Sequence, residues 1–145
     1  MLARTRLGPV TYESQDVLVM PFGLVGFGTL HHFLLAEGPT VDWLLSLEEP
    51  AFGLPLIDPT LVEPTYAPPL EEVLARHPGC HPPSVRVRTV LIAPSPPAPM
   101  RTNLMAPVVV LPAERTAYQL VLWDQNYPNA VELPPPVARQ LTRAG

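Results

Sequence analysis

The chain has 145 residues, of which 47% are apolar, 22 are proline and one is cysteine, with a formal net charge of −4. That length can enclose one hydrophobic core, and the composition excludes general disorder and an intramolecular disulfide framework. No apolar run is long enough to cross a bilayer as a helix, and Met1-Leu2-Ala3-Arg4-Thr5-Arg6 lacks the apolar segment of a signal peptide, so a cytoplasmic location is expected.

The predicted elements are short. Val17–Met20 is an apolar run ended by Pro21, and Phe33–Leu35 is one stopped by Gly38-Pro39. Trp43–Leu47 is stopped before Pro50, and Gly53–Ile57 is closed by Asp58-Pro59. Short apolar runs between prolines and glycines read as buried strands. Residues 70–76 place Leu70, Val73 and Leu74 on one side at helical spacing, and Pro78-Gly79 ends that helix. Val85–Ile92 is the longest strand. Val85, Val87, Thr89 and Leu91 share one face, and Arg86, Arg88, Val90 and Ile92 share the other.

Pro107–Leu111 and Tyr118–Trp123 make two more strands, joined as a hairpin by Ala113–Thr116. Residues 134–145 form a proline-rich tail, in which 137–143 can make one or two helical turns. An interior proline removes a helical hydrogen bond and clashes with the preceding turn, so long helices are excluded. The expected fold is mostly β: one small antiparallel β-barrel-like domain over 1–133 with one or two short helices. Strand is expected above about 40% of residues and helix below about 20%, against usual values of roughly 20–25% and 30–35%.

Charge is placed unevenly. No basic residue lies between Arg6 and Arg76, a stretch holding ten acids, while seven arginines and three acids follow from Arg76 onward. This arrangement allows cross-chain ion pairing, or an acidic face that steers a basic protein partner. It argues against direct nucleic-acid binding, which requires a concentrated basic patch.

Candidate chemistry is sparse. His77, Cys80 and His81 stand within five residues, but Pro78, Pro82 and Pro83 stiffen them and no second cluster completes a tetrahedral site, so a polar loop is expected. His31 and His32 would point to opposite faces of a strand. Ser46 has no Gly-x-Ser-x-Gly elbow around it, and Gly23-x-x-Gly26 lacks the spacing and lysine of a phosphate loop. No cofactor is expected. The Thr102–Pro107 stretch, Thr-Asn-Leu-Met-Ala-Pro, reads as a turn. Asn103 can bond nearby main-chain groups, and Pro107 biases Ala106 towards extended backbone. That places Leu104 and Met105 at the entrance to a strand, where an incoming chain could pack.

Four stretches in order carry a family resemblance: Met20-Pro21-Phe22-Gly23-Leu24-Val25-Gly26-Phe27; Trp43–Pro50 running on through Leu56-Ile57-Asp58-Pro59; Thr102–Pro107 with its valines; and Gln119–Leu122 leading to Tyr127. Over roughly residues 5–130 the chain resembles the flagellar assembly factor FliW family. The resemblance implies a compact antiparallel β-barrel-like domain with no enzymatic activity. It implies cytoplasmic binding of flagellin and of the CsrA-type translational regulator, whose repression of flagellin synthesis is relieved allosterically, without RNA mimicry. A monomer that touches neither membrane nor nucleic acid is expected. Protein-contacting residues are expected at Asp58, Pro59, Asn103, Leu104, Met105 and Pro107. Structural roles are expected for Pro21, Gly23, Gly26, Phe27 and Ser46, with Gly23 or Gly26 at positive φ and Phe22 and Phe27 anchoring the turn. The competing class is a small β-barrel enzyme using Asp58, Asn103 and a histidine.

Overall fold

A computed structural model describes residues 1–144; Gly145, the end of the predicted tail, lies outside the described residues. An N-terminal hairpin, β1 (Leu2–Thr5) and β2 (Gly8–Thr11), stands apart from the main sheet. A meander follows: β3 (Leu18–Val19), β4 (His32–Ala36), β5 (Asp42–Ser46), β6 (Gly53–Ile57) and, after helix α1 (Glu71–Arg76), β7 (Arg86–Ile92). Each of these strands pairs antiparallel with the next. β8 (Arg101–Thr102) adds to the far end of β7. β9 (Val108–Leu111) and β10 (Thr116–Gln119) form the hairpin expected from their sequence. β11 (Val131–Glu132) pairs with β8, and α2 (Pro135–Ala144) ends the described chain.

Two pairings close the sheet. β9 lies antiparallel against β7, with Val87 opposite Val109. β10 lies parallel to β3, with Thr116 opposite Val19. Strands β3 to β7, β9 and β10 thereby make a seven-stranded barrel. Pro55 is accommodated in β6 beyond the two residues that pair with β7, because proline cannot donate to a ladder.

The barrel is filled by Met20, Phe33, Leu44, Leu56, Val108 and Val110, among others. All four residues of β9 are buried. Val108 and Val110 face the barrel interior, while Val109 and Leu111 pack outward with Val73 of α1 and Tyr118. Covering both faces explains why that segment is apolar without alternation. The first half of β7 keeps its arginines by pairing them: Arg88 Nε meets Asp42 Oδ2 at 3.1 Å, and Arg86 pairs with Glu37. The acids of the first half thus partly neutralise the arginines of the second.

Four details differ from the sequence expectation. Strand covers only about three residues in ten, because turns, bends and 3₁₀ segments take the residues beside many of the prolines. The hairpin of β1 and β2, and the two-residue strands β8 and β11, were not foreseen. α2 starts at Pro135, two residues before the expected helix, with proline at a position whose amide has no helical partner. Its Val137, Ala138 and Leu141 pack onto Ile57 and Leu133.

The fourth difference is the end of β10. The strand expected over 118–123 runs over Thr116–Gln119, yet the chain stays in register beyond it. Leu120 N donates to Pro107 O at 2.9 Å and Leu122 N to Met105 O at 2.8 Å. The return bonds are absent for two reasons on the facing strand. Pro107 has no amide hydrogen, and the Met105 amide is taken by Asn103 Oδ1 at 2.9 Å. Residues 120–122 therefore run along Met105–Pro107 with half a ladder.

Candidate protein-interaction surface

Local sterics shape the loop between β3 and β4. Gly23 has φ +68° and Gly26 has φ +83°, so both occupy the region that glycine alone enters at no steric cost. A Cβ on Gly23 would meet the Cα of Gly28 at 2.9 Å, whereas one on Gly26 would meet nothing. Leu24 is buried in the barrel core, and Phe27 packs on Phe52 with ring centroids 4.6 Å apart. Phe22 is 67% exposed. It leans on Tyr118 with centroids 5.9 Å apart, and the Arg76 guanidinium lies 4.8 Å from its ring. Gln119 clips the loop to the barrel: its Oε1 accepts from Val25 N at 2.8 Å, and its Nε2 donates to Ala106 O at 3.2 Å.

α1 is fixed beside this loop. Val73 is buried against Tyr118, and His77, which caps the helix, shares a 2.7 Å hydrogen bond between its Nε2 and the Tyr118 hydroxyl. Between α1 and the half-ladder runs a groove of about 500 Å³, lined by Glu71, Glu72 and Val73 on one side and by 119–125 on the other. Trp123 stands at its end, 77% exposed.

Most other acids of the first half have internal tasks. Ser46 Oγ accepts the amides of Glu48 and Glu49, fixing the turn in which Glu48 Oε1 accepts the amides of His31 and His32 at 2.8 and 2.7 Å. Partial burial raises the pKa of the Glu48 carboxyl, but the two amides and the His32 ring outweigh it and hold the group below its usual value. Asp58 Oδ1 accepts from the amide and hydroxyl of Thr60, capping a 3₁₀ turn that begins at Pro59. Glu63 holds the Thr65 hydroxyl. By contrast, Glu71, Glu72 and Asp124 use their side chains in no hydrogen bond or ion pair among the described residues, and all three line the groove.

The residues expected to contact a partner are placed differently from the sequence reading. Leu104 is 2% exposed, packed with Tyr66 and Leu122, and its carbonyl accepts the Tyr66 hydroxyl at 2.7 Å. Burial, with Tyr127 beside it, raises the pKa of that phenol. The expectation of Leu104 at an exposed strand entrance is therefore corrected: the half-ladder and the 59–69 segment cover it. Pro59 and Pro107 are buried as well, while Asp58, Asn103 and Met105 are half-buried. Asn103 performs the turn role expected of it. Pro21 and Phe27 sit exposed in the glycine turn, and Ser46 is fully buried.

The enzymatic constellation does not assemble. Asp58 lines a small cavity with Asp42, Arg88 and Gln140, and neither Asn103 nor a histidine is in its walls. His77 is engaged by Tyr118, and Cys80 Sγ lies 3.5 Å from Ser84 Oγ. No group of three metal-ligating side chains is gathered among the described residues. No described helix is long and apolar enough to cross a membrane. Sequence reading missed Phe22, Gln119 and Trp123 as surface features. For Gln119 the signal was a polar residue inside an otherwise apolar stretch, 117–123; nothing in the sequence marked Phe22 or Trp123 as exposed.

The chain is a small closed β-barrel protein of a class with a solved representative. The crystal structure of the flagellar assembly factor FliW superposes with a TM-score of 0.85 and 26% identity, covering 93% of this chain and 98% of that one. The chain belongs to the FliW protein family, whose model matches residues 1–133. The flagellar assembly factor FliW of Bdellovibrio bacteriovorus is 35% identical over 136 residues, covering 87% of this chain and 74% of that protein. That of Thermotoga petrophila is 30% identical over 135 residues, covering 88% and 89%.

Proposed function

We propose that this protein is a non-enzymatic flagellar assembly factor. It binds flagellin in the cytoplasm as a chaperone does and antagonises a CsrA-type translational regulator, coupling flagellin synthesis to export. Family membership over nearly the whole chain carries this reading. Two physical features are consistent with it: the polar residues offered for catalysis are engaged in turns and caps, and unpaired acids and exposed aromatics lie together on one face. Flagellin and the regulator compete for the protein, so flagellin export frees it to relieve repression.

The test is binding of the purified protein to flagellin and to CsrA from the same genome, by calorimetry and size exclusion. A complex with each, and displacement of CsrA by flagellin, is the expected result. Failure to bind either protein would sink the proposal.

A further inference from the structure

The geometry points to the groove between α1 and residues 119–125 as a strand-addition site, taking an extended polypeptide segment that alternates basic and apolar side chains. The inference rests on the reading of this protein as a protein-binding module and names where and how it would bind. Three independent observations meet there.

The first is an open backbone edge. Leu120 and Leu122 turn their amides to Pro107 and Met105. In extended chain, alternate residues aim their main-chain groups at opposite edges, so the amide of Val121, a residue that lines the groove, faces away from that partner; after Leu122 the chain turns, with Gln125 N donating to Leu122 O at 3.2 Å. The Val121 amide has no hydrogen-bond acceptor among the described residues. On the other edge of β10, β3 pairs at Thr116 and the glycine loop bonds the Gln119 side chain, both before Val121. An incoming strand could add its main chain to this edge.

The second observation is the apolar content. Leu120, Val121 and Val73 line the groove, and Trp123 at its mouth is the most exposed large apolar side chain among the described residues. An exposed tryptophan beside a groove is the side chain most suited to anchor a partner.

The third is charge. Glu71, Glu72 and Asp124 flank the edge with no internal partner, while the acids elsewhere that could be paired, such as Asp42 and Glu37, have their arginines. A strand laid here places alternate side chains over the acidic rim and the others over the apolar floor. The occupant is thus basic at one parity and apolar at the other; an acidic segment would be repelled.

The probe is a synthetic peptide of about nine residues, strand length, alternating arginine with valine and leucine, with a glutamate-for-arginine version as its counterpart. Calorimetry should give saturable binding of the basic peptide with Kd below about 1 mM and none of the acidic one. Hydrogen exchange at the Val121 amide should slow on binding. Val121→Pro, which removes one edge donor, should weaken binding about tenfold. Should that variant fold poorly, the surface variant Glu71→Arg/Glu72→Arg should lose the basic peptide and gain the acidic one.

Equal binding of both peptides, no saturable binding, or full affinity in both variants overturns the inference. Flagellin and CsrA titrated against the same variants separate this result from the functional reading. Binding of either protein at full strength by both variants would refute the groove and leave the function standing. Peptide binding without binding of either protein would do the reverse.

Discussion

Single residues hold the loop and turns in place, and their contributions differ in kind. Gly23 and Gly26 share positive φ but not surroundings. An L side chain in this region costs about 1–2 kcal/mol, and only at Gly23 would the new Cβ also collide with backbone. Gly23→Ala is therefore expected to lower thermal stability clearly more than Gly26→Ala, which should lose no more than about 1–2 kcal/mol; equal effects in a melting experiment would contradict the turn geometry. Glu48 gives a pH signature. Its folded carboxyl is held below the usual value, so its contribution is fully present above the unfolded pKa of about 4.3 and is lost as pH falls through the lower folded value. Melting temperature followed from neutral to acidic pH should show this loss, and Glu48→Gln should flatten that part of the profile. Leu104, once an apparent contact residue, is a core residue, and Leu104→Ala should cost about 2–5 kcal/mol in denaturant unfolding. Partner binding should fall only as far as folding does.

At the scale of elements, the half-ladder between 105–107 and 120–122 links sequence to surface most directly. Pro107 and Asn103 each remove one donor from it, so β10 ends where the groove begins. Pro107→Ala restores an amide opposite Leu120. The new bond is worth about 0.5–1.5 kcal/mol, and the loss of proline's restriction of the unfolded chain costs about 0.4–1 kcal/mol. Pro107 is buried, and the two ring carbons lost cost about 0.8 kcal/mol each, so net stability should fall by about 1–2 kcal/mol while the residue 107 amide becomes protected from hydrogen exchange. An unprotected amide there would show that the register does not continue past Gln119. Helix α1 is held from its far end by His77 on Tyr118, which leaves its first-turn acids facing the groove.

For the whole molecule, barrel closure sorts the charges. Folding brings Arg86 and Arg88 to Glu37 and Asp42 and leaves Glu71, Glu72 and Asp124 in solvent. Exposed charges are screened beyond about 8 Å at physiological ionic strength. Binding of flagellin or CsrA should accordingly weaken as salt rises, and calorimetry between low and high salt checks this. An affinity that stays flat would remove the acidic face from recognition.

The strands of the meander, the hairpin of β9 and β10, helix α1, the glycine turn and the Asn103 turn were all legible in the sequence. Each depends on forces acting within a few residues: proline's missing amide, glycine's lack of a Cβ, a side-chain oxygen two residues from an amide, and the period of apolar positions. Other features depended on residues far away in the chain. β10 lies parallel to β3 across nearly a hundred positions. Leu104 is covered by Tyr66 and Leu122, Asp42 is matched by an arginine 46 residues on, and Trp123 is left bare because no strand pairs beyond Gln119. Burial and charge pairing are properties of neighbours in space, and only the closed barrel decided which neighbours each side chain would have.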